Sequence, residues 1–246
     1  MSIALFTVID LETTGLAPPA SVIEIGWTKV YFDPDKKTVE IGSPQSQLFR
    51  PTEKLSPENI AVHHLTDAML AAYEPCTDEA LSAIVQEDRP QFLVAANSAF
   101  EAQWVTPAIC GANLDGKPPR WLCTVKAAAR LYPEAESHSN QAMRYRLGLH
   151  LAESLAMPPH RAGPDSYVTA HILKAFIESG VKVRDLVQWT MEPRFMTRCP
   201  IGKEWRGKPW ADVDAGFLEW MLKQEGMDSD ALHWARLELE RRRSAA

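Results

Sequence analysis

The chain has 246 residues, 46% hydrophobic and 24% charged, with a net charge of −6. Such proportions exclude a disordered or fibrous chain and fit a globular protein with a core of ordinary size. No apolar run approaches the length of a membrane span, and four cysteines at 76, 110, 123 and 199 with no C-x-x-C spacing fit neither a disulfide framework nor a zinc site.

Ile3 to Ile9 is an apolar run that leads straight into Asp10, the pattern of a first buried strand rather than an export leader. With the unpaired cysteines, it makes the cytoplasm the expected compartment. Residues 22–32 and 38–50 predict two further strands around an Asp33-Pro34-Asp35 turn, with a fourth at 92–95 and a fifth near 121–123. Ser56-Pro57-Glu58 opens a helix, with serine as N-cap and proline in the first turn. Ser98 is read as the cap of a second helix running to Cys110, Thr124 as the cap of a third, and Asn140 as the start of a fourth. Gly163-Pro164-Asp165 precedes a long helix from Ser166 to Glu178, stopped by Gly180. Strands first, then alternating helices and strands, predict an α/β domain with a mixed sheet.

Gly180 marks a boundary, with a domain over 1–180 and a small, mainly helical module over 181–246. Helices are expected near 183–190, 215–223 and 229–243, around a Gly/Pro/Lys/Trp-rich stretch at 200–210. The first part carries 14 basic against 21 acidic residues and the second 12 against 11. Between Arg194 and Lys208 five basic residues face only Glu204. An acidic first part with a locally basic second part is odd for a simple DNA binder and compatible with a metal-dependent nuclease, where bound divalent cations would offset clustered carboxylates; composition alone does not choose between these readings.

Three segments carry chemistry. In Asp10-Leu11-Glu12-Thr13-Thr14-Gly15, residues two apart on a strand share a face, so Asp10 and Glu12 stand side by side where a buried strand emerges. Glu101 falls on the first turn of a helix after the apolar run Leu93–Ala96. His160 stands five residues before Asp165 in His160-Arg161-Ala162-Gly163-Pro164-Asp165. Taken singly, these are a charged strand end, an acid placed well near a helix N-terminus and a loop histidine before a capping aspartate.

Together, and in this order, they resemble the histidine subclass of the DEDD 3′→5′ exonuclease superfamily. The stretches Leu55-Ser56-Pro57, Val62-His63-His64-Leu65-Thr66, Trp121-Leu122-Cys123-Thr124, Ser139-Asn140-Gln141-Ala142 and Gly202–Lys208 resemble its exonuclease X branch. The resemblance implies an RNase H-like fold and two bound Mg²⁺ or Mn²⁺ ions held by Asp10, Glu12, Glu101 and Asp165, with His160 as general base. Oxygen ligands suit those hard ions, and a metal pair stabilises the attacking and leaving oxygens of an in-line displacement at phosphorus. The family usually carries Asp where this chain has Glu101, and His where it has Ala96.

The implied substrate is nucleic acid with a free 3′ end, DNA favoured, cut into 5′-mononucleotides. An RNA 3′ exonuclease and a catalytically weakened nucleic-acid-binding module are the alternatives. Thr13, Thr14, Gly15 and Leu16 lie where the family grips the terminal nucleotide, and His63 matches a histidine beside its active site. Lys203, Arg206 and Lys208 are expected to contact phosphates, whereas Trp210, Phe217 and Trp220 are expected to fill the small core of the module.

Overall fold

A computed structural model describes residues 3–113 and 115–244. The six strands are β1 (Ala4–Thr13), β2 (Val22–Asp33), β3 (Thr38–Ile41), β4 (Gln45–Leu48), β5 (Phe92–Ala95) and β6 (Arg120–Cys123). They form one mixed sheet in the order β3-β2-β1-β5-β6, with β4 also paired to β2. β1–β2 is antiparallel, while β1–β5 and β5–β6 are parallel. The helices are α1 (Pro57–His63), α2 (Asp67–Leu70), α3 (Asp78–Val85), α4 (Ser98–Glu101), α5 (Pro107–Cys110), α6 (Thr124–Leu131), α7 (Asn140–Arg146), α8 (Glu153–Ala156), α9 (Ala162–Glu178), α10 (Val183–Met191), α11 (Ala215–Met221) and α12 (Ser229–Ser244). The expected mixed sheet flanked by helices is the fold observed.

The alternation of β1 decides what each face of the sheet meets. Phe6 and Val8 point into a core with Val168, Ile172, Leu173 and Phe176 of α9. Ile9 and Leu11 point the other way, towards Leu81, Ile84 and Val85 of α3 and Trp104. Asp10 and Glu12 continue the Phe6–Val8 row, so β1 aims its carboxylates at the helix that buries its apolar side chains.

α9 reaches that face because nothing stands in its way at Gly26. A Cβ there would lie 2.0 Å from the carbonyl carbon of Ala162 and 2.2 Å from the backbone nitrogen of Gly163. Gly26 is the register partner of Asp10. The missing side chain therefore seats the first turn of α9 beside that carboxylate.

Several local expectations are corrected. The run 38–50 is two strands, because Pro44 lacks the N–H a ladder needs. The helix predicted over 98–110 is interrupted: α4 is a single turn with Asn97 in the cap position, and Thr106, extended before Pro107, starts α5. Thr124 is the first residue of α6 rather than its cap, which is Cys123, and the free first-turn amide of Val125 donates to Ala96 O at 3.0 Å. α9 begins at Ala162, four residues early, because Gly163-Pro164 lies in a first turn whose amides have no intrahelical acceptor to lose. α2, α3 and α8 were not anticipated; α3 is capped by Thr77, whose hydroxyl accepts from Ala80 N at 3.2 Å.

Leu186 of α10 belongs to the α9 core, whereas Met196, Cys199, Trp210, Val213, Leu218, Met221, Ala231, Ala235 and Leu239 form a separate cluster. Trp210 is buried as expected, but Phe217 is only partly buried and Trp220 is 47% exposed. Leu218 and Met221 supply the core face of α11 instead, which turns Phe217 and Trp220 outward. Among the described residues no helix is long and apolar enough to cross a membrane.

Candidate active site

Asp10, Glu12 and Asp165 each place a carboxylate oxygen within 4.8 Å of the other two. Glu12 and Asp165 are buried and Asp10 is half-buried. Burial pushes all three acids up, and repulsion from neighbouring acids adds to it at Asp10 and Glu12. Glu12 rises to about 8, and Asp10 rises well above the usual range through desolvation and the charges of Asp165, Glu101, Glu12 and Glu24. Asp165 is raised by desolvation, though His160 N donates to its Oδ2 at 2.7 Å and Asn140 Nδ2 and Gln141 Nε2 approach its Oδ1 at 3.4 Å.

Glu101 sits outside that group of three, on α4, but its charge acts on Asp10, and the charge of Glu12 acts on it. Desolvation pushes Glu101 up to about 8, and its Oε2 is buried with no hydrogen-bond partner among the described residues. None of the four acids is ion-paired among the described residues. An orphaned buried carboxylate oxygen beside three mutually repelling acids is costly. A hard divalent cation relieves both penalties, so the donor set fits such an ion.

His160 is exposed and in the left-handed region, with φ 59°. That conformation is costly for a residue with a Cβ, and the bond from its own backbone N–H to Asp165 holds it there. His160 therefore stands at the rim of the cluster, tied by its backbone to one of the acids.

The proposed substrate residues divide. Thr13 Oγ1 donates to Gly15 O at 2.6 Å, Thr14 Oγ1 donates to Glu53, and Ser21 N donates to Thr14 Oγ1 at 2.9 Å. Glu53 resists the upward push of burial because hydroxyls of Thr14, Thr52 and Ser21 hydrogen-bond it, and it titrates at about 2. The loop after β1 is thus pinned, with Leu16 85% exposed at its tip. His63 is 1% exposed, and burial lowers its pKa. Its Nδ1 accepts from Leu65 N at 3.0 Å, which leaves Nε2 as a buried donor with no acceptor among the described residues. Lys203, Arg206 and Lys208 do not join the carboxylates; they lie exposed on a turn closed by Cys199 N→Lys208 O at 2.9 Å and Gly207 N→Cys199 O at 2.8 Å.

Sequence reasoning missed the supports. Glu24, fully buried, receives Arg161 Nε at 2.8 Å, Arg161 Nη2 at 3.0 Å and Ala162 N at 3.2 Å, which fixes the segment between His160 and Asp165. The available signal was a lone acid in Val22-Ile23-Glu24-Ile25. Asn140 also escaped as a support: its Nδ2 donates to Asp165 O at 3.0 Å and its Oδ1 accepts from Thr169 Oγ1 at 3.0 Å.

The profile of the RNase T exonuclease family matches residues 7–173. The chain belongs to that family. Exodeoxyribonuclease 10 of Escherichia coli (strain K12) is 32% identical over 219 residues, which cover 87% of this chain and 89% of that protein. A structure of exonuclease X in complex with 5′ overhanging duplex DNA aligns with a TM-score of 0.57 at 29% identity, covering 75% of this chain and 99% of that one. The nuclease domain of 3′hExo, a DEDDh family member bound to rAMP, shares the fold at 18% identity and a TM-score of 0.51. The chain is therefore a DEDD-family exonuclease of the 3′→5′ type, a phosphodiester hydrolase of a family that uses divalent metals.

Proposed function

We propose that this exonuclease is a 3′→5′ exodeoxyribonuclease that hydrolyses terminal phosphodiesters of DNA and releases 5′-mononucleotides. The observation that carries the reading is the convergence of four acids, none ion-paired among the described residues, beside a rim histidine. Asp10, Glu12 and Asp165 would hold two Mg²⁺ or Mn²⁺ ions, and Glu101 would complete the set with its orphaned oxygen. Bound there, the ions would acidify the attacking water and stabilise charge on the transferring phosphate.

The protein's own groups do the rest. His160, at the rim, accepts the proton of the attacking water, a role suited to an imidazole at neutral pH. Asn140 and Gln141 orient Asp165, while the Glu24–Arg161 pair fixes the backbone between His160 and α9. Thr13, Thr14, Gly15 and Leu16 receive the terminal nucleotide, and His63 is assigned to the same substrate site as a buried donor.

Residues 181–246 are proposed as a separate module that adds affinity through Lys203, Arg206 and Lys208, none of which is ion-paired among the described residues. DNA is favoured because exonuclease X, the relative solved with nucleic acid at 29% identity, holds duplex DNA. Trimming of DNA ends is chemistry that DNA repair requires. We assign the protein to that use in the cytoplasm, where its four unpaired cysteines stay reduced.

The test is incubation with 3′- or 5′-labelled single-stranded DNA, duplex DNA and RNA, each with Mg²⁺, Mn²⁺ or chelator. Metal-dependent loss of nucleotides from DNA 3′ ends is expected. Degradation that persists in chelator or starts at the 5′ end overturns the mechanism, and RNA cut in preference to DNA reassigns the substrate.

A further inference from the structure

Three aromatic rings and a lysine form a ladder on the surface of the C-terminal segment. Lys208 Nζ lies 4.5 Å from the centroid of the Trp205 ring. Trp205 and Phe217 follow at 6.1 Å, and Phe217 and Trp220 stack at 5.2 Å with 27° between their planes. The last ring, Trp220, is 47% exposed. Phe217 and Trp220 are three residues apart on α11, next to the face that Leu218 and Met221 bury.

The ladder is built into the basic turn. Gly202 has φ 86°, and a Cβ there would come within 2.7 Å of Phe217 Cζ, so the turn that carries Lys203, Arg206 and Lys208 closes directly on the stack. The acids nearest in sequence are Glu204, Asp212, Asp214 and Glu219, and among the described residues none of them is ion-paired with those three cations. Arg198, by contrast, is engaged with Glu134 at 3.7 Å and Gly207 O at 3.0 Å.

We propose that Trp220, backed by Phe217 and Trp205, with Lys203, Arg206 and Lys208 on the turn that closes on the stack, is a stacking platform for unpaired bases of single-stranded DNA. The inference rests on the proposed reading of this segment as a nucleic-acid contact and adds its chemistry. An exposed aromatic face takes any base, while the cations track the phosphates, giving sequence-tolerant binding. A lysine over the inner ring holds positive charge at the edge of the stack without removing it from solvent contact.

The experiment is fluorescence anisotropy of a labelled 20-nucleotide oligo(dT), titrated with the full chain in chelator so that cleavage plays no part. Trp220→Leu, which keeps apolar contact but not the ring, should weaken binding about tenfold, and Trp220→Phe should retain most of the affinity. Lys208→Gln should flatten the salt dependence by about 0.7 in the log–log slope, one single-strand phosphate contact. Wild-type affinity in Trp220→Leu overturns the platform, and so does equal loss in the Leu and Phe variants, which would mark a packing role. An equal loss on blunt duplex, or a loss seen with oligo(U) but not oligo(dT), overturns the assignment to single-stranded DNA. A chain that binds oligo(dT) through Trp220 yet degrades no DNA when metal is restored would refute the proposed function and leave this inference standing.

Discussion

Glu24 and Glu12 are register partners on neighbouring strands, both buried, and the fold treats them in opposite ways. Glu24 meets a guanidinium through two bonds and a backbone amide. Glu12 meets Asp165 and Asp10. The far end of the chain repeats the first solution: Glu238 on α12 accepts from Arg241 and Arg242, which hold it at about 2. The protein thus neutralises buried carboxylates readily where the purpose is structural. Four acids left repelling one another mark the place where positive charge is to come from outside.

The comparison breaks most sharply under neutralising substitutions. If Asp10 is a metal ligand as proposed, Asp10→Asn should cut exonuclease activity by about a thousandfold or more, yet raise stability in chelator at alkaline pH, where the ionised acids repel one another. Glu24→Gln should do the reverse to stability, costing about 3 kcal/mol by stranding Arg161. Urea unfolding in chelator reads both, and destabilisation by both substitutions would erase the distinction. His160→Ala should lower turnover by about a hundredfold or more while the stabilisation by added Mg²⁺ persists, since the imidazole acts on water and not on the ion. A near-full rate across neutral pH assigns the base elsewhere. Gly26→Ala should destabilise by about 1–3 kcal/mol and weaken metal binding together, because the new methyl pushes the first turn of α9 away from Asp10; a stability loss with intact metal affinity would separate the two roles.

Glu101 gives the smallest and subtlest effect. It keeps the family's charge on an arm one methylene longer, and Mg²⁺ demands near-ideal octahedral geometry. The wild type should work better with Mn²⁺, and Glu101→Asp should raise the Mg²⁺-supported rate by a few fold, about 1 kcal/mol. A slower Asp variant with both metals over a range of concentrations would show that the site has adjusted to the longer acid.

The acids and the histidine were legible because chemistry restricts them to few residue types in a fixed order, and β1 displays its pair by simple alternation. The sheet was legible for the same reason: β2 and β5 are strongly apolar between turn residues. What escaped depends on residues distant in sequence. Gly26 looks like any glycine until α9, some 136 positions later, rests on it. Glu24 needs Arg161 to be understood. The exposure of Trp220 was misjudged because Leu218 and Met221 compete for the same small core, and composition alone does not say which side of α11 prevails.

The central claim is that the four acids are held in wait for divalent cations, and thermal unfolding against pH tests it most directly. Glu12 and Glu101 keep their protons in the folded state up to about 8, against 4.5 for free glutamate, so unfolding between those values releases protons. In chelator, stability should therefore be highest near pH 5 and fall as pH rises towards 8. Added Mg²⁺ should restore it most at the alkaline end, where the carboxylates are free to bind. A melting temperature that stays flat or rises over that range in chelator, and does not respond to Mg²⁺ at pH 8, would contradict the account.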